Sequence, residues 1–176
     1  MREISRFRSD LSLAASHELH AAFANRLAEG THTLSKHGDP VHFTASALVV
    51  DETMEQIALV HHRKALMWLQ PGGHVEEADA SFADAARREV AEELGLHDLA
   101  TVGDGPARLH THLMGSAFKD CAEHWDVQYL FRCAGRPELC LSGESNRVAW
   151  FPLNALPEGI VPDLPPLLAQ LGLVTA

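Results

Sequence analysis

Three glutamates, Glu89, Glu92 and Glu93, stand at spacing i, i+3 and i+4 in the run Arg88-Glu89-Val90-Ala91-Glu92-Glu93-Leu94-Gly95-Leu96. On a helix that spacing places all three carboxylates on one face. Like charges so close repel at neutral pH, so the face is built to meet something positive. Carboxylate oxygens are hard ligands and suit Mg²⁺ or Mn²⁺. Such ions neutralise phosphate oxygens, orient a scissile bond and acidify water, which is what attack on a diphosphate requires. The ordinary alternative is a solvated acidic helix face, since glutamate is a good helix former. Against it stand the Gly72-Gly73 turn before the helix, Arg88 as a built-in counter-charge, and Gly95 after the helix.

The surrounding pattern says what positions these residues. The box helix is predicted over residues 81–94, with Asp79 or Ser81 as N-cap and Ala83, Val90 and Leu94 facing a core. Strands are predicted over 42–50, 57–61, 66–69, 107–113, 127–133 and 147–151, with 42–50 and 57–61 forming a hairpin across the turn 51–56. A short closing helix is expected over 163–171, with Pro165 and Pro166 in its first turn. Ahead of the strands, Leu11, Ala15, Leu19, Phe23 and Leu27 recur every fourth position and predict one helix over 10–29, stopped by Gly30. Residues 31–40 read as a polar connector. Strands dominate the middle and helices punctuate them, so a helix-packed mixed sheet is expected.

The run from Gly73 to Leu96 closely resembles the signature of the Nudix hydrolases. That signature is Gly, five residues, Glu, seven residues, Arg-Glu, an apolar residue, one residue, Glu-Glu, one residue, Gly and an apolar residue. Gly73, Arg88, Glu89, Val90, Glu92, Glu93, Gly95 and Leu96 match it in type. Asp79 stands where the family usually has Glu, and one extra residue separates it from Arg88. A loop ahead of the helix absorbs such an insertion, which leaves the glutamate face intact and the Asp79–Arg88 pairing open. Trp68-Leu69-Gln70-Pro71-Gly72-Gly73-His74 is similar to a bacterial subset with Trp-Leu-x-Pro-Gly-Gly-His.

The resemblance implies an α/β fold, a Nudix-type α/β/α sandwich with a mixed sheet, occupying residues 41–176 behind an N-terminal helical extension over 1–40. It implies a metal site of Glu89, Glu92, Glu93 and the Gly72 carbonyl, filled by Mg²⁺ with Mn²⁺ as substitute. Glu89 would be a ligand or the base that activates water, and Arg88 would orient a glutamate. A further acid from outside the box completes many members. Glu144 is the favoured candidate, with Asp126 and Glu123 as alternatives, so the catalytic set is Glu89, Glu92, Glu93, Arg88 and Glu144. The implied reaction is pyrophosphohydrolysis of a nucleoside diphosphate linked to another moiety. A non-catalytic nucleotide sensor of the same fold is the second reading, although sensors usually lose box glutamates. An isomerase of allylic diphosphates is a third, and no cysteine here has the context it needs.

Bulk composition sets outer bounds. The 176 residues suffice for one domain with a real core, and 46% hydrophobic with 22% charged residues is ordinary for a globular protein. The formal net charge of -10 argues against nucleic acid polymers as partners, but not against a small anion held by a cation. Neither a signal peptide nor a membrane span is read, and Cys121, Cys133 and Cys140, without a Cys-x-x-Cys pair, suggest reduced thiols in a cytoplasm. They are read as small buried hydrophobes rather than metal ligands.

Other residues have two readings each. Trp68, Trp125 and Tyr129 would stack a base or simply fill the core. Arg63 and Lys64 would meet phosphates or lie on an exposed turn. His110 and His112 share one side of a strand and His61, His62 and His74 lie nearby, but no tight Cys/His spacing marks a zinc site. His74 is placed at the mouth of the glutamate site. The first helix is a homodimer contact, a lid or a packing element.

Overall fold

The structure is a computed structural model that describes residues 4–115, 121–143 and 145–174. Four α-helices are present among the described residues: α1 (Ser5–Leu13), α2 (His20–Ala28), α3 (Phe82–Leu94) and α4 (Leu164–Gln170). Eight strands form one sheet: β1 (Val41–Val50), β2 (Gln56–His62), β3 (Trp68–Leu69), β4 (Gly72–His74), β5 (Leu99–Thr101), β6 (Arg108–Leu113), β7 (Glu123–Cys133) and β8 (Ser145–Pro152). Its centre is the parallel pair β1–β7, in register from Val41 with Glu123 to Val50 with Arg132. The other pairings between strands are antiparallel. β1 pairs β4 at one end and β2 at the other, while β7 pairs β6 at one end and β5 at the other.

The two faces of this sheet have different chemistry, and period-two alternation makes them so. One face carries Phe43, Ala45, Ala47 and Val49 of β1 with Val127, Tyr129 and Phe131 of β7. It is buried under α1, α2 and α3 through Phe7, Leu11, Phe23, Leu27, Phe82, Val90 and Leu94. The opposite face is split. Leu48, Val50 and Leu130 pack under α4 through Leu164, Leu167 and Leu168. Toward the other end that face turns polar, with His42, Thr44 and Ser46 beside His124, Asp126 and Gln128, all buried. Helices therefore cover both faces of a mixed sheet, as expected.

Local rules explain most elements. Ser81 caps α3 by accepting from the Asp84 amide at 3.1 Å, and Gly95 ends it at φ 71°, a left-handed cap that glycine adopts without strain. Asp51 organises the β1–β2 turn by accepting from the amides of Glu55 and Gln56 at 2.9 and 3.1 Å.

Three expectations are corrected. The single helix over 10–29 is two helices joined at residues 14–19, with Ala15 exposed. A straight helix of that length would run about 30 Å. Folding back instead lets Phe7 meet Phe82 while Phe23 meets Phe43 and Trp125 on the same sheet face. The polar connector contains a short 3-10 helix, Thr31–Leu34, whose Leu34 is buried. Two strands went unread, β4 and β5, which are three residues each.

Candidate active site

The three glutamates meet β4 at a seam. β4 pairs β1 with Gly72 opposite Ser46, Gly73 opposite Ala45 and His74 opposite Thr44. Gly72 and His74 thus address the polar side of the sheet, while Gly73 addresses α3. Both glycines are required by close approach. A Cβ on Gly72 would lie 2.3 Å from Ser46 Cβ, and one on Gly73 would lie 2.7 Å from Glu89 Oε1.

Two donors hold the three carboxylates. Glu93 is 6% exposed, and its Oε2 accepts from the Gly72 amide at 2.9 Å. Glu89 and Glu92 each accept from Arg88 Nη1 at 3.0 Å. Arg88 also makes a two-point contact with Asp79, Nε to Oδ1 at 3.1 Å and Nη2 to Oδ2 at 3.0 Å, and donates to the His74 carbonyl at 2.8 Å. Asp79 in turn accepts from the Glu76 amide at 2.7 Å. The insertion before Arg88 therefore leaves the acid–arginine pairing intact. Burial works against the charge on Arg88, but the hydrogen bond and charge of Asp79 and the charge of Glu89 outweigh it, so its pKa is raised above the ordinary value.

The arrangement fits a hard divalent cation. Glu93 and Glu89 lie against the Gly72–Gly73 backbone, Glu92 joins Glu89 on Arg88, and one guanidinium cannot balance Asp79, Glu89 and Glu92 together. Such a donor set, beside a polar sheet face, can gather phosphate oxygens. The NUDIX domain family model matches residues 40–171 of this chain.

The chain belongs to the Nudix family.

It is a Nudix hydrolase, and α3 is its Nudix helix. Solved structures agree on the fold. A Nudix-family hydrolase from Clostridium perfringens is 24% identical, with 74% of this chain and 97% of that chain covered and a TM-score of 0.59. The dihydroneopterin triphosphate pyrophosphohydrolase of E. coli is 15% identical, covers 75% and 94%, and scores 0.61. An Ap4A hydrolase of C. elegans is 18% identical, covers 74% and 94%, and scores 0.60. No curated protein sequence matches the chain. No helix among the described residues is long and apolar enough to cross a membrane.

The remaining candidates of this Nudix hydrolase separate clearly. Glu144 lies outside the described residues. Asp126 is 4% exposed and accepts from Thr44 Oγ1 at 3.0 Å, Ser46 Oγ at 2.6 Å and Gln128 Nε2 at 2.8 Å. It lies on the polar face, on the strand beside Thr44 and Ser46. Glu123 begins β7 opposite Leu113, and alternation puts it on the face of Trp125 rather than in that row. Tyr129 is buried and donates to Asp10 at 2.9 Å, Trp68 packs against Phe151, and Trp125 packs against Phe23, so these three rings fill the core. Arg63 and Lys64 are exposed.

His74 differs from its expected place at the mouth of the glutamate site, because its ring joins those of His42 and His124. Burial, then the neighbouring His42, lowers its pKa to about 4. Burial, then His112, His42 and His74, lowers that of His124 to about 3. Only Cys133 is a buried cysteine; Cys121 is half-buried and Cys140 exposed. The polar face as a whole was missed in the sequence. Its signal is polar alternation in His42-x-Thr44-x-Ser46 and His124-x-Asp126-x-Gln128, and a strand predicted to begin at 127 leaves His124 and Asp126 outside it, whereas β7 begins at Glu123.

Proposed function

We propose that this Nudix hydrolase is a Mg²⁺-dependent cytoplasmic pyrophosphohydrolase, with Mn²⁺ as substitute, acting on a nucleoside diphosphate linked to another moiety. The observation that carries the reading is the grouping of the box glutamates at the Gly72–Gly73 strand: Glu93 accepts from the Gly72 amide, Glu89 lies against Gly73, and Glu89 and Glu92 share Arg88 Nη1. Glu89, Glu92, Glu93 and the Gly72 carbonyl would hold the cation. When bound, the metal supplies charge neutralisation at phosphate oxygens and a more acidic water.

The chain's own residues have distinct parts. Glu93, fixed by the Gly72 amide and buried, is the most preorganised donor. Glu89 is a ligand or accepts the proton of the attacking water. Arg88 is a positioning residue, since all its contacts are to Asp79, Glu89, Glu92 and the His74 carbonyl. The buried polar sheet face, where Thr44, Ser46 and Gln128 all donate to Asp126, backs the glycine strand. Two structural neighbours are named for phosphoanhydride substrates, dihydroneopterin triphosphate and Ap4A, which supports the reaction class.

The test is a panel of nucleoside diphosphate derivatives with Mg²⁺ or Mn²⁺, run beside Glu93→Gln. The expected result is metal-dependent turnover of at least one compound and a loss on the order of a thousandfold in the variant. Equal turnover in both proteins would sink the site. Binding across the panel without hydrolysis would replace the enzyme reading with a sensor.

A further inference from the structure

A second set of metal-ligating side chains lies on the polar half of the sheet. His42 on β1, His74 at the end of β4, His124 on β7 and Cys121 just ahead of β7 each offer one ligand atom, and these atoms lie within 4.8 Å of one another. The ring centroids are 5.0 Å apart for His42 and His124, 5.1 Å for His42 and His74, and 5.2 Å for His74 and His124. Cys121 Sγ is 3.6 Å from His74 Nε2 and 3.9 Å from His42 Nε2. Tetrahedral zinc, with Zn–N about 2.0 Å and Zn–S about 2.3 Å, separates its nitrogen and sulfur ligands by about 3.5 Å. The side chains already stand near that spacing.

Two further observations point to a ligand. His42 Nδ1 is 2.7 Å from the Asp39 carbonyl oxygen. A carbonyl only accepts, so Nδ1 carries the proton and Nε2 keeps its lone pair, on the side of Cys121. A backbone carbonyl behind a histidine is the usual support of a metal-binding ring. His124 is 9% exposed, and its Nε2 is buried without a hydrogen-bond partner. Thiol–imidazole contacts account for Cys121 with His42 and His74 but leave that nitrogen unsatisfied, which native interiors seldom allow.

We propose that His42, His74, His124 and Cys121 form a structural Zn²⁺ site, separate from the carboxylate box. Imidazole and thiolate donors select zinc over magnesium, and four protein ligands leave no open position for substrate. On binding, the Cys121 S–H bond is exchanged for S–Zn and the proton passes to solvent, with no change of oxidation state. The ion would tie β1, β4 and the entry to β7 together. It would thereby steady the strand that carries Gly72, Gly73 and the His74 carbonyl on which Arg88 rests.

The full-length protein tests this without reference to hydrolysis. Metal-free protein is loaded with Co²⁺, desalted and read by absorbance. One cobalt per chain is expected, with a thiolate-to-cobalt charge-transfer band and the intense visible bands of a tetrahedral ion. Cys121→Ser should abolish the charge-transfer band, while Cys140→Ser, an exposed position, should keep it. Zn²⁺ should raise Tm by several degrees in the wild type and leave Cys121→Ser unmoved. His124→Gln is the second variant, expected to bind zinc about tenfold or more weakly against a chromogenic chelator. A cobalt spectrum without the thiolate band, a band that persists in Cys121→Ser, or equal zinc affinity in His124→Gln overturns the assignment. Oxygen ligands of the glutamate box give no thiolate band, so the reading stands or falls apart from the proposed activity.

Discussion

Adjacent glycines at the seam between sheet and Nudix helix have different reasons to be glycine. The absent Cβ of Gly72 makes room for the Ser46 side chain and backbone, which cannot move without shifting β1. The absent Cβ of Gly73 makes room for the Glu89 carboxylate, the far end of a flexible side chain. Substitution should therefore separate fold from chemistry. Gly72→Ala is expected to cost about 2 kcal/mol by overpacking, read as a lower midpoint in urea. Gly73→Ala should keep its stability to within about 0.5 kcal/mol and lose metal-dependent turnover, because Glu89 must leave its place beside Arg88. A Gly73→Ala protein with wild-type turnover would show that the Glu89 position does not matter. At this scale the sequence was informative: the glutamates, Arg88 and both glycines are legible as a group from types and spacing. The Asp79–Arg88 pair was less so, since one inserted residue upsets the count while the loop takes up the slack.

Elements were legible where their own residues dictate them and obscure where tertiary contacts do. The β1–β2 hairpin and α3 carry strong local signals, and both formed. β4 is Gly-Gly-His, with no strand periodicity of its own; only pairing with Thr44, Ala45 and Ser46 makes it a strand. The helix predicted over 10–29 broke because two anchors on one sheet face pull it back on itself. The hairpin turn shows how a single side chain fixes an element. Burial of Asp51 pushes its pKa up, but the amides of Glu55 and Gln56, the Thr53 hydroxyl and the Arg136 charge outweigh that, and the net shift is downward. A lowered carboxylate stabilises the fold above its unfolded value of about 3.9, and that stability is lost as pH falls through the lower folded value. Asp51→Asn should thus be about 2 kcal/mol less stable than wild type at pH 7. The gap should narrow as the pH drops below about 4. Urea titrations across that range check it, and a gap independent of pH would assign the effect to packing rather than charge.

At the scale of the molecule, the split sheet face is what turns a fold into a site. α4 covers one half of that face with leucines, and the other half is left polar beside the glycine strand. The opposite face is covered by α3 together with α1 and α2, which the sequence had set apart as an extension over residues 1–40. The contacts argue for one folding unit. Phe7 is fully buried and meets Phe82, the first residue of the Nudix helix, edge to face at 4.9 Å. Asp10 accepts from the Ala83 amide at 3.0 Å and from the Tyr129 hydroxyl at 2.9 Å, so α1 also serves the open end of α3. Phe7→Ala removes an aromatic ring from this shared core and should cost about 3–5 kcal/mol. All three tryptophans, Trp68, Trp125 and Trp150, lie outside the extension. Trp125 packs against Phe23 of α2, so the measurement uses a Trp125→Phe background in which Trp68 and Trp150 report the rest of the domain. If α1 and α2 fold with it, Phe7→Ala shifts the fluorescence midpoint and the far-UV circular dichroism midpoint together. A fluorescence transition left in place while helical signal is lost would make the extension a separate module, and α3 would then hold its glutamates without help from α1.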